Sequence, residues 1–127
     1  MPMKKSKNYR KAKIKVNPWG SALYILVGET LADAAAGLPD GFAKDVSKFD
    51  DAAALTLSDG ANSFAICFSC VDQDIGTVAH EVFHATLRIL SNCHANLDME
   101  HDEQGAYLHG WLVKQVVKQF RDWDVDL

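Results

Sequence analysis

Ile75-Gly-Thr-Val-Ala-His80-Glu81-Val-Phe-His84-Ala-Thr-Leu-Arg-Ile-Leu90 is the stretch that decides how this chain folds. Ile75, Val78, Ala79, Val82, Phe83, Thr86, Leu87 and Leu90 recur at intervals of three and four, the period of a helix with one buried face. Asp74 stands just ahead, a residue whose carboxylate accepts from the unpaired N–H groups of a first helical turn. The spacing therefore predicts a helix over 75–90. His80 and His84 are four residues apart, so they stand one above the other on that helix. Two imidazoles at this spacing can ligate one metal ion, with Glu81 beside the bound water as its general base. In a chain with 5 His and 4 Glu, such an H-E-x-x-H arises in roughly 0.6% of shuffled sequences. The competing reading is a solvent-facing turn that spells the pattern by accident, and the apolar neighbours on both sides weigh against it.

Working outward, a polar connection over 91–99 leads to a last helix from Asp102 to about Trp123, with Leu112, Val113, Val116, Val117 and Phe120 as its buried stripe. Upstream, the character is extended. Lys11-Ala-Lys-Ile-Lys-Val16 alternates polar and apolar residues, and Leu23–Val27 is a second apolar run that Gly28 ends. Thr30–Gly37 is Ala-rich and reads as a short helix. Ala53–Leu57 and Ser63–Cys70 flank Asp59-Gly60 as the arms of a hairpin. Strands first and two long helices after them make the class α+β: a small, mostly antiparallel sheet packed on the motif helix and a long C-terminal helix.

The 127 residues, 48% apolar and 24% charged, are enough for one folded domain and exclude a disordered or fibrous chain. No apolar run approaches the ~18 residues of a membrane span. Asn17-Pro18-Trp19-Gly20 interrupts the N-terminal region before any apolar core of a signal peptide forms. Three cysteines, Cys67, Cys70 and Cys93, are an odd number in a chain able to bury a core, which favours a reducing compartment and a cytoplasmic location. The formal net charge of −4 hides an asymmetry: residues 1–16 carry seven Lys and Arg and no acid, and all 17 acids follow them. The expectation is a flexible basic arm over 1–10 and one domain over 11–127. Such an arm has the charge to contact nucleic-acid phosphates. A solvated terminus, or lysines guarding a sheet edge, is the commoner use of such residues.

Two histidines do not complete a catalytic zinc site, which takes three protein ligands and leaves one position open. A metzincin would need Gly at 87 and His at 90, where this chain has Leu87 and Leu90. Downstream candidates are His94, Asp98, Glu100, His101, Asp102, Glu103 and His109. Glu103 heads the next helix with 18 residues between it and His84, enough chain to turn back, and it completes a His₂Glu set. His101 and Asp102 lie beside it and stay open as alternatives.

His80-Glu81-Val82-Phe83-His84 followed by Asp102-Glu103-Gln104-Gly105-Ala106-Tyr107-Leu108 resembles the gluzincin branch of the zincin metallopeptidases. Over about residues 75–120 the chain is similar to small single-domain metallopeptidase-like proteins carried on phage and prophage genomes. The resemblance implies a minimal zincin-like fold, Zn²⁺ held by His80, His84 and Glu103, and peptide hydrolysis with Glu81 as base. Larger gluzincins often carry an Asp at the position of Tyr107, which makes the phenol a candidate partner of a ligand imidazole or of an oxyanion. The large substrate-side domain of those enzymes has no counterpart here. That departure leaves a second reading, a catalytically weak zinc scaffold that binds a host target. In zincins the strand before the motif helix pairs with extended substrate, a role that falls on residues 62–70 here if that strand has a free edge. Cys67-Phe-Ser-Cys70 lies in the same predicted strand, where residues three apart face opposite sides, so it reads as buried small side chains rather than a metal pair.

Overall fold

Residues 8–17, 19–49, 52–69, 73–95, 98–100 and 102–127 are described by the computed structural model. The strands are β1 (Tyr9–Val16), β2 (Ser21–Gly28), β3 (Ala54–Ser58) and β4 (Ser63–Ser69), and the helices are α1 (Leu31–Ala35), α2 (Ile75–Asn92) and α3 (Asp102–Asp122). The α+β class and both long helices stand as expected. β1 takes in Tyr9 and Arg10, so the end of the basic arm belongs to the sheet. Residues 1–7 of the arm and Cys70 lie outside the described residues.

The strand order is β1-β2-β4-β3. β1–β2 and β3–β4 pair antiparallel, the second around the Asp59-Gly60 turn, while β2 and β4 pair parallel. The sheet is therefore mixed. Two parallel strands cannot be joined by a tight hairpin; α1 and the segment after it link β2 to β3 at one end of the sheet, past β4, and β3 carries the chain back so that β4 runs parallel to β2. One consequence corrects the substrate-strand expectation over 62–70: β4 is hydrogen-bonded to a neighbour on each side and has no free edge. The edges are β1 and β3.

Both faces of the sheet are covered. Val16, Leu23, Ile25, Phe64, Ile66 and Phe68 face α2 and α3, where Val78, Val82, Ile89, Leu112, Val116 and Phe120 meet them. Phe68 and Phe120 pack edge to face with ring centroids 5.0 Å apart. The other face packs Leu26, Ala65 and Cys67 on Leu31, Ala34, Leu38 and Phe42. Burial from both sides is why Phe64–Phe68 is one continuous apolar run instead of an alternating one. Gly28 at the end of β2 is needed for the close approach of α1, since a Cβ there would lie 2.6 Å from the Ala34 nitrogen.

α2 begins where expected, with the Asp74 Oδ1 accepting from the Thr77 N–H at 2.8 Å. Its buried face is rotated from the anticipated one. Ala85 and Ile89 are fully buried, whereas Ile75, Phe83 and Leu87 are exposed. The sheet lies against the 78–82–85–89 line, and that choice turns the opposite side of the helix, with both motif histidines, outward.

Candidate metal centre

His80 and His84 stand on the outer face of α2, both exposed, with their Nε2 atoms 3.3 Å apart. Two nitrogens bound to one tetrahedral zinc at about 2.05 Å lie about 3.4 Å from each other. The pair therefore has the bite that a single ion requires. Glu81 joins them: one ligand atom from each of the three residues lies within 4.8 Å of the others, and the group can hold a metal ion. Its donor set, two imidazoles and a carboxylate, suits a transition metal such as zinc, copper, iron or nickel rather than calcium or magnesium.

Glu81 differs from its neighbours in being buried, at 9% exposure. Its two carboxylate oxygens have different surroundings. Oε1 accepts a 2.8 Å hydrogen bond from the Thr56 hydroxyl on β3, and Oε2 lies 3.8 Å from His80 Nε2. The same hydroxyl lies 3.1 Å from the Glu81 carbonyl oxygen, so one proton is shared between backbone and side chain. Thr56 thus ties the motif helix to the edge strand and leaves Oε2 for chemistry beside the imidazoles. Thr56→Val removes the donor at nearly constant volume and is expected to destabilise the fold by about 1–3 kcal/mol, the cost of a poorly solvated polar group without its partner. Thr56→Ser is expected to restore most of that loss. Urea unfolding midpoints of the three proteins measure the difference.

Thr56 was not among the sequence-derived candidates, although a signal exists. On β3 the alternation places it on the same face as Ala54, turned toward α2, and a hydroxyl on the buried face of a strand needs an acceptor.

Glu103 does not join the group. It is exposed in the first turn of α3. From α3 it is His109 that reaches the motif helix, its ring packing edge to face on Phe83 at 5.6 Å and its Nδ1 lying 3.5 Å from Thr86 Oγ1. Glu103 precedes His109 by six positions, about 9 Å of helical rise. Partial burial lowers the His109 pKa from its ordinary value, which favours the neutral imidazole. Tyr107 is 77% exposed and faces water rather than the helix interface. Asp102 is exposed beside Glu103, and His101 is outside the described residues.

Cys67 is fully buried and free, and burial pushes its thiol up to about 12, so it remains protonated and inert at neutral pH. This agrees with its reading as a small core side chain. An open cavity of about 640 Å³ lies between β1 and the C-terminal residues, lined by Tyr9, Arg10, Glu29, Asp33, Trp123 and Asp124. It includes no residue of the motif. No family model, curated protein or solved structure matches this chain.

Proposed function

We propose that the chain is a zinc-dependent hydrolase that cleaves peptide bonds, with His80, His84 and Glu103 as metal ligands and Glu81 as general base. The observation that carries this reading is the convergence of His80, Glu81 and His84 within 4.8 Å, at a nitrogen separation that fits one tetrahedral ion. A bound zinc ion would polarise the scissile carbonyl and acidify the attacking water. Glu81 receives the proton of that water on Oε2, while Thr56 holds Oε1 and fixes the plane of the carboxylate. The same oxygen then returns the proton to the departing amine. Glu103 enters through the family resemblance and the His₂Glu chemistry, and Tyr107 enters as a candidate oxyanion donor on the same grounds. A peptide substrate would be an extended segment.

A second reading rests on a different observation. Both imidazoles are exposed on the open face of α2, with Phe83 and Leu87 also exposed on that helix. A metal site of this form suits a scaffold that binds a target protein without cutting it. Incubating the zinc-loaded chain with a degenerate peptide library separates the two, with cleavage read by mass spectrometry. Hydrolysis that a chelator abolishes and added zinc restores is expected of the enzyme. Full zinc occupancy with every peptide intact would leave the scaffold reading.

A further inference from the structure

The four strands contain no Asp or Glu, yet β1 carries Arg10, Lys11, Lys13 and Lys15. In a chain with 17 acids, the sheet is the one layer from which acids are absent. Lys11, Lys13 and Lys15 alternate with Ala12, Ile14 and Val16, so the three cations share one face while the apolar residues turn to the core. All three lysines are exposed, and none has a carboxylate partner among the described residues. Successive members of the row are about 7 Å apart along the strand, comparable to the repeat between phosphates in a stretched single strand. The Lys11 and Lys13 ammonium groups lie 5.4 and 5.7 Å from the centroid of the Tyr24 ring, which holds both over the sheet instead of leaving them to wander.

A shallow groove of about 270 Å³ continues the row. It is lined by Lys13 and Lys15 together with Asn17, Ser21, Asn62 and Ser63, with no acid among its described lining residues; the nearby Asp59 carboxylate is taken up by the Ser63 N–H at 3.2 Å. Cations beside hydroxyl and amide groups are the chemistry that meets phosphates and sugars. No exposed large apolar side chain occurs on β1 or β2, so the surface lacks the wedge that an interfacial membrane contact requires. A linear row along one strand also follows a single phosphate chain better than the two chains of a duplex. The acids of the helices and loops do not forbid this, because at physiological salt their influence fades over about 8 Å.

We propose that the Lys11–Lys13–Lys15 face of the sheet and its adjoining groove bind the sugar-phosphate backbone of single-stranded nucleic acid, without sequence preference. This site uses none of the metal-motif residues, so it stands or falls apart from the hydrolase reading.

The test is fluorescence anisotropy of a labelled thymidine oligonucleotide against the full chain, across a series of salt concentrations. The native protein is expected to bind at low salt with an affinity that falls as salt rises. Replacing all three lysines with Gln is expected to weaken binding roughly tenfold or more and to flatten the log–log salt slope by about 2, the release expected for three contacts to a single strand. Lys11→Arg, Lys13→Arg and Lys15→Arg together should preserve both. Lys114→Gln with Lys118→Gln, on α3, should change neither beyond a small uniform effect. Absence of binding at low salt, or a slope that the three Gln substitutions leave unaltered, would overturn the proposal. Equal affinity for a duplex of the same length, or capture by phosphatidylserine vesicles but not by the oligonucleotide, would overturn it too.

Discussion

Glu81→Gln is expected to lower peptide turnover by about 10²- to 10⁴-fold, the contribution of a positioned general base, while leaving the fold and the zinc content unchanged. The substitution is close to isosteric. Its side-chain carbonyl still accepts the Thr56 hydrogen bond that Oε1 accepts in the native chain. What it lacks is a second oxygen able to take a proton at the position 3.8 Å from His80 Nε2. A structural role would therefore be largely preserved and a proton-transfer role abolished. Turnover measured with the best peptide from the library, alongside elemental analysis, separates the two. Full activity in the variant would remove Glu81 from the mechanism. Loss of zinc would instead make Glu81 a ligand, the role its membership of the His80–Glu81–His84 group permits.

The local signals in the sequence were reliable where one residue type acts on its own backbone. Asp74 caps α2 and Asp59-Gly60 turns the β3–β4 hairpin, each as its chemistry requires. Periodicity located α2 to within two residues but misjudged its orientation. The run is apolar over more than half its circumference, so Phe83 and Leu87 compete with Ala85 and Ile89 for the core, and only the sheet settles which side is covered. Strand order was invisible for a similar reason. Nothing local in Ser63–Ser69 distinguishes a central strand from an edge strand, except that its apolar run does not alternate, which in retrospect marks burial on both faces.

The metal motif follows the same division. The His80–His84 pair was legible because a fixed helical period joins the two residues. Thr56 was not, because its contact with Glu81 spans 25 positions and depends on how α2 settles on β3. The proposed third ligand raises the same difficulty as Thr56. Chain length, His₂Glu chemistry and the family resemblance point to Glu103, but it lies exposed in the first turn of α3 outside the group, because how α3 sits along α2 is set by tertiary packing at His109, Phe83 and Thr86. A site on one helix can be read from sequence. A site between helices needs the packing.

His84→Ala is expected to abolish stable zinc binding, with elemental analysis falling from one ion per chain to none. Under the proposed coordination it leaves one imidazole, His80, and one carboxylate, Glu103, too few donors to hold the ion against its water shell. The thermal readout should be equally clear. At free zinc a hundredfold above the dissociation constant, the native chain gains about 2.7 kcal/mol of stability, a rise in Tm of roughly 10 °C for a domain of this size. The variant should show almost none of that rise. Its stability without metal should match the native protein to within about 0.5 kcal/mol, because His84 is exposed and Ala is a better helix former. That metal-free match is what distinguishes a lost ligand from a damaged fold. Zinc content that survives the substitution would place the ion elsewhere and withdraw both readings of this helix, catalytic and scaffold alike.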